Sequence, residues 1–136
     1  MAEFIMKNMV RKIGLESDYE IASAATSQEE TGNSAYPPVR KKLAENGISC
    51  NGHHARQMTK NDYGHYDFII CMDRANVRNA ARIAGGDPER KITLLLDHAD
   101  RAGQEVADPW YTGDFDKTWD DISEGCAALL EQTKKS

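Results

Sequence analysis

The chain has 136 residues, of which 40% are apolar and 29% are charged, and its formal net charge is −5. This length suits a single domain spanning residues 1–136, and the composition excludes both a disordered chain and a membrane-spanning chain. The acidic balance also argues against nucleic-acid binding. Any anion site must therefore be built locally, at a helix N-terminus, a backbone nest or one buried arginine.

The cysteines and the first residues indicate where the protein works. Cys50, Cys71 and Cys126 are odd in number and irregularly spaced, which predicts neither a disulfide framework nor a metal site. The opening residues alternate polar and apolar at helical spacing and lack the continuous apolar run of a signal peptide or membrane span. We therefore expect a cytoplasmic protein without a metal, nucleic-acid or membrane partner.

The first half of the chain predicts three helices, the last of them short, and two short extended segments. An apolar stripe at helical spacing consists of Phe4, Ile5, Met9 and Ile13. Gly14 is suited to end that helix, because glycine adopts the left-handed conformation without strain. The next predicted elements are a strand at 19–25, a helix from the double proline at 37–38 to residue 46, an extended piece at 48–50 and a short helix capped by Thr59 and Asp62.

The second half predicts two buried strands and two helices. The continuous apolar runs at 67–72 and 92–96 are typical of strands covered on both faces, as in a parallel sheet. Asp73 is suited to cap the helix that follows the first of them, and an amphipathic helix closes the chain. This alternation predicts an α/β fold, a three-layer αβα sandwich with a parallel, doubly wound sheet whose ligand site lies at the carboxyl ends of the strands.

A long loop between residues 97 and 115 contains Asp108, Pro109, Trp110 and Tyr111 in succession. A carboxylate beside a rigid proline, followed by two aromatic side chains, suits a general acid next to the wall of an aromatic substrate pocket. The same residues also suit a loop whose aromatic side chains fold back onto the core. Composition and spacing do not decide between the two interpretations.

Four segments together resemble the low-molecular-weight phosphotyrosine protein phosphatases, in order and at matching separations. They are SAATS at 23–27, GISCNGHHARQ at 47–57, YDFIICMDRANVRN at 66–79 and ADPWYTGDFD at 107–116. The resemblance implies hydrolysis of phosphotyrosine in proteins, or of small aryl phosphates, through a cysteinyl-phosphate and without a cofactor.

The resemblance also implies a role for individual residues. Asp108 matches the general acid, and Trp110 and Tyr111 match the aromatic pair that holds the substrate ring. Ser23 and His53 match the serine and histidine that hydrogen-bond to the phosphate-binding loop. Asp73 matches an aspartate of the family that we interpret first as a helix cap.

The resemblance begins just after the family's nucleophile loop. In the family a first, central strand leads into a C-x5-R-[ST] loop, which M-A-E-x-I commonly follows, and this chain begins MAEFI. We therefore expect the first strand, the nucleophilic cysteine and the phosphate-binding arginine to be missing, and the chain as given to be inactive. The gap in the sheet is expected either to close up or to be filled by a second copy, giving a homodimer.

Three alternatives stay open at this stage. Cys50 and Arg56 form another C-x5-R string, but a glutamine follows the arginine and the string lies in a polar loop, so we interpret it as a chance match. The chain could be a non-catalytic pseudophosphatase or binding module. An arsenate reductase of the same fold is disfavoured, because Cys71 and Cys126 are far apart in sequence.

Overall fold

The computed structural model describes residues 2–26, 41, 44–45, 47–48, 56–106 and 113–134. The regular elements there are helices α1 (Ala2–Lys12), α2 (Lys60–His65), α3 (Arg74–Ala84) and α4 (Phe115–Thr133), strands β1 (Ile69–Cys71) and β2 (Ile92–Leu94), and 3₁₀ helices at Glu16–Asp18 and Leu95–Ala99. None of the described helices is both long and apolar enough to cross a bilayer.

The two strands pair in parallel, with Ile69 opposite Ile92 and Cys71 opposite Leu94. A separate parallel bridge joins Ala25 to Gln57. Among the described residues, β1 has a strand partner on one edge only, and Ala25 does not pair with it. The expectation that the remaining strands close up is therefore wrong for this part of the chain.

Successive side chains of β1 point to opposite faces of the sheet, as a strand requires. Ile70 and Met72 pack against a core built mainly from α1 and α4. Ile69 and Cys71 pack against a second core built mainly from α2 and α3. Helices thus cover both faces of a parallel sheet, which confirms the predicted α/β sandwich.

Helix α1 confirms the first predicted helix and most of its apolar stripe, because Ile5 is buried and Phe4 and Met9 pack against the same core. Its buried apolar residues are Ile5, Met6 and Val10, whereas Ile13 is 50% exposed. Gly14 takes a φ of 74°, and the backbone N–H of Leu15 donates to the carbonyl oxygen of Val10 at 2.9 Å. The helix therefore ends in a left-handed glycine cap, as predicted, and leaves Ile13 beyond its last turn.

Several predicted strand boundaries are wrong. The run 92–96 leaves the strand after Leu94, because the Asp97 carboxylate accepts the Leu94 N–H at 3.2 Å and the chain turns into a 3₁₀ helix. In the predicted strand 19–25, only Ala25 pairs. The helix predicted up to residue 46 falls mostly outside the described residues, although Lys41, Ala44 and Glu45 are helical.

Both predicted caps in the middle of the chain are confirmed. Asp73 accepts a 2.7 Å hydrogen bond from the Asn76 N–H and starts α3. Asp62 accepts the Thr59 N–H at 2.9 Å and starts α2. These short-range contacts fix where both helices begin.

Candidate active site

The carboxyl edge of β1 is joined to the loop that follows β2. The N–H of Val106 donates to the carbonyl oxygen of Met72 at 2.8 Å. Arg74 adds two contacts, from its backbone N–H to Oε2 of Glu105 at 2.8 Å and from Nη2 to the Gly103 carbonyl at 2.9 Å. The last residues before the aspartate–proline segment are therefore fixed at the end of β1, where a parallel sheet places its ligand site.

The start of the same loop is attached to α4 through Arg101. Its Nη1 donates to Oδ1 of Asp121 at 3.0 Å and to Oε2 of Glu124 at 2.8 Å. The hydrogen bond to Asp121 is the main reason why the pKa of Arg101 rises above its ordinary value. The Asp97 carboxylate also accepts the Gly103 N–H at 2.7 Å, which closes the turn.

The far end of the segment is anchored as well. Asp114 accepts the Lys117 N–H at 2.9 Å and caps α4, which begins at Phe115. Residues 107–112 thus connect two anchored points. Asp108, Trp110 and Tyr111 themselves lie outside the described residues, so their assigned roles stay predictions.

Ser23 contacts a carboxylate that the sequence analysis did not single out. Its Oγ donates to Oε1 of Glu3 at 2.6 Å, and Nζ of Lys7 binds the other oxygen at 2.7 Å. Glu3 is only 9% exposed. The available signal was an acidic residue on the helix face shared with Met6 and Val10, because a charge on an apolar face needs partners.

Of the C-x5-R string from Cys50 to Arg56, the structure describes the arginine. Arg56 makes two hydrogen bonds to the Asp62 carboxylate, at 3.0 and 3.2 Å, and its pKa is raised chiefly by that contact. Burial alone would raise the pKa of Asp62, but the bonds from Arg56 and Thr59 outweigh it, and the pKa falls. The guanidinium is thus already paired with a carboxylate. Cys50 and His53 lie outside the described residues.

Cys71 and Cys126 are free thiols buried in different cores on opposite faces of the sheet. Burial raises the pKa of Cys71 to about 11 and that of Cys126 to about 12. Thiols with such high pKa values are poor nucleophiles at neutral pH. Cys71 and Cys126, the two cysteines that the structure describes, therefore do not pair with each other.

Fold and site together define an α/β protein with an anchored loop at the carboxyl edge of a parallel sheet. The sequence model of the low molecular weight phosphotyrosine protein phosphatases matches residues 1–136. The chain belongs to this family of protein-tyrosine-phosphatases, which are hydrolases.

Individual relatives agree with this assignment. The protein-tyrosine-phosphatase YfkJ of Bacillus subtilis is 34% identical over 99% of this chain and 87% of its own length. The chicken enzyme is 33% identical over 97% of this chain and 85% of its own length.

Solved structures agree in fold. The crystal structure of YfkJ superimposes with a TM-score of 0.91 at 32% identity, covering 98% of this chain and 87% of that chain. The Streptococcus pyogenes phosphatase SP-PTP gives a TM-score of 0.85 at 32% identity, covering 99% of this chain and 84% of that chain.

Proposed function

We propose that this chain supplies the acid and the aromatic pocket wall of a cytoplasmic protein tyrosine phosphatase that acts on phosphotyrosine in proteins or on small aryl phosphates. Asp108 protonates the leaving phenolate oxygen and later activates the water that hydrolyses the cysteinyl-phosphate. Trp110 and Tyr111 hold the substrate ring between them. No cofactor takes part in this chemistry.

The observation that carries this proposal is the hydrogen bond between Val106 and Met72. It fixes the residue two positions before Asp108 to the carboxyl end of β1. A general acid must be held within hydrogen-bond reach of the leaving oxygen, and an anchored loop meets that requirement better than a free one. The named relatives support the choice of phosphotyrosine as substrate class.

Ser23 and His53 are proposed to orient the phosphate-binding loop. The support for Ser23 is its 2.6 Å bond to the buried Glu3 carboxylate, which limits the rotation of the hydroxyl. A hydroxyl held in one direction is a better positioning group than one that rotates freely.

The 136 residues alone are proposed to lack turnover. They contain one C-x5-R string, Cys50 to Arg56, and Arg56 is engaged by Asp62. The purified chain should therefore not hydrolyse para-nitrophenyl phosphate. Hydrolysis that persists through purification and disappears in Cys50→Ser would overturn this part of the proposal.

Activity should appear when a first strand and a C-x5-R-[ST] loop of the family pattern precede Met1. In that longer chain, Asp108→Ala should lower kcat for aryl phosphates by about 10²–10⁴-fold with little change in KM, because the acid acts in the transition state. Asp120→Ala, which removes an exposed aspartate of α4, is the matched control. An active enzyme indifferent to Asp108 would contradict the assignment, and an inactive folded one would favour a pseudophosphatase.

The edge of β1 that is unpaired among the described residues supports a homodimer. An open strand edge presents a row of backbone donors and acceptors that a second copy of the chain satisfies. Light scattering of the 136-residue chain should give the mass of a dimer, and the longer chain with its added strand should be monomeric. A cooperative monomer of the 136-residue chain would contradict this proposal.

A further inference from the structure

Helix α3 carries three arginines along one side. Arg74, Arg78 and Arg82 are each four residues apart, which places them on roughly the same face of a helix, and all three are exposed. The helix contains no acidic residue. We call these three side chains the α3 arginine stripe.

The charge of the stripe is largely left unneutralised. Arg74 donates from Nη2 to the Gly103 carbonyl, and Arg82 donates to the Asn79 side chain, so both partners are neutral. Arg78 makes no hydrogen bond or ion pair in the part of the chain that the structure describes. The Glu105 carboxylate accepts its hydrogen bond from the backbone N–H of Arg74, so this contact does not involve the Arg74 guanidinium.

The stripe also stands out against the rest of the molecule. The chain has a net charge of −5, to which α3 contributes +3, so the rest of the chain carries a net charge of −8. A solvated helix face in an acidic protein usually carries charges of both signs. Concentrating one sign on one face creates a local attraction for negative groups.

The stripe begins at the candidate active site. Arg74 comes two residues after Met72, whose carbonyl anchors Val106, and its own backbone binds Glu105. Because a helix rises about 1.5 Å per residue, Arg78 and Arg82 lie about 6 Å and about 12 Å further along α3. The stripe therefore leads away from the carboxyl edge of β1 along the exposed side of α3.

We propose that the α3 arginine stripe is a docking surface for an acidic segment of a phosphoprotein substrate. This docking proposal rests on the proposed function. The phosphotyrosine would occupy the active site, and acidic residues on one side of the phosphotyrosine in the peptide would contact Arg78 and Arg82. An extended peptide advances about 3.3 Å per residue, so the two arginines meet side chains about two residues apart. A short acidic segment is long enough to reach both arginines. A longer polyanion would extend beyond the stripe and be repelled by the net negative charge of the rest of the protein.

The binding test uses four fluorescent peptides with the 136-residue chain. They combine tyrosine or phosphotyrosine with either glutamate-rich or neutral flanks. The peptide with plain tyrosine and acidic flanks should bind by fluorescence anisotropy and shift the backbone amide resonances of α3. That binding should weaken strongly between about 0.05 and about 0.5 M salt, because exposed charges are screened.

The variant Arg78→Ala/Arg82→Ala should weaken this binding about three- to tenfold, the loss expected for two exposed ion pairs. The matched control is Arg11→Ala/Lys12→Ala, which removes the same charge from exposed positions of α1 and should leave binding unchanged. Circular dichroism verifies that both variants are folded. Equal weakening by the two variants, or no preference for acidic flanks, would overturn the docking surface.

One further outcome is informative. A single-stranded oligonucleotide that binds α3 more tightly than the acidic peptide would also overturn the proposal, in favour of a nucleic-acid surface. The docking proposal and the proposed function are tested independently, so one can fail without the other. Docking is measured with plain tyrosine, whereas the proposed function is tested in the longer, active chain with the neutral phosphotyrosine peptide as substrate.

Discussion

Arg101 and Asp121 join the loop after β2 to the middle of α4 through a 3.0 Å hydrogen bond between Nη1 and Oδ1. Asp121 is buried, and Lys117 reaches its other oxygen at 3.3 Å. Arg101→Met should lower the melting temperature more than Lys117→Met, because a buried carboxylate that loses its closer cation is poorly compensated. Differential scanning calorimetry measures both. Equal melting temperatures for the two variants would show that the loop is not fastened by Arg101.

The chain should lose stability in acid partly through Asp87. Burial would raise the pKa of this carboxyl, but hydrogen bonds from Tyr63 and from the Lys91 and Ile92 backbones lower it below its ordinary value of 3.8. A depressed carboxyl pKa adds stability above the unfolded value, and this contribution disappears as the pH falls through the folded value.

Urea unfolding of the wild type and of Asp87→Asn between pH 2 and pH 7 tests this assignment, with pH values of about 4 and below as the deciding range. The wild type should be the more stable protein at neutral pH, and the difference should shrink at acid pH. The exposed Asp67→Asn, which removes one carboxylate elsewhere on the surface, is measured alongside as the control. A constant difference across the range would exclude Asp87 as the titrating group.

Gly125 of α4 packs directly on Leu95. A Cβ added at this glycine would overlap Cγ of Leu95 and lie 3.0 Å from both of its Cδ atoms, and Leu95 is only 2% exposed. Gly125→Ala should therefore destabilise the chain by about 1–3 kcal/mol through overpacking, even though alanine is the better helix former. Urea denaturation gives the value.

The pairing of Gly125 with Leu95 has its own control. In the double variant Gly125→Ala/Leu95→Ala, the clash is relieved, so the combined loss should be smaller than the sum of the two single losses. Strict additivity would mean that the backbone of α4 shifts instead of meeting Leu95.

Ser23 should stabilise the fold through Glu3. Ser23→Ala removes a donor from a buried carboxylate and should cost about 1–2 kcal/mol, while Ser17→Ala, at an exposed position, should cost almost nothing. In a Glu3→Gln background the effect of Ser23→Ala should shrink, because the charged acceptor is gone. An unchanged effect in that background would place the role of Ser23 elsewhere.

Local sequence determined the features that depend on neighbours within one or two helical turns. Asp73 and Asp62 mark helix starts in the sequence, because each side chain accepts from a backbone N–H three residues away, that of Asn76 and that of Thr59. The apolar run around β1 identified a strand buried on both faces. The family resemblance followed from such short segments, and with it the α/β sandwich and the phosphatase class.

Tertiary structure decided the contacts between residues far apart in the chain. The anchoring of Val106 to Met72 and of Arg101 to Asp121 joins elements whose proximity no local pattern encodes. The buried Glu3 carboxylate likewise accepts a hydrogen bond from Ser23, twenty residues away. Sequence periodicity shows which face of an element is apolar. It does not show which partner a buried polar group will have, because that partner comes from a distant part of the chain and offsets the free-energy cost of burial only in the folded state.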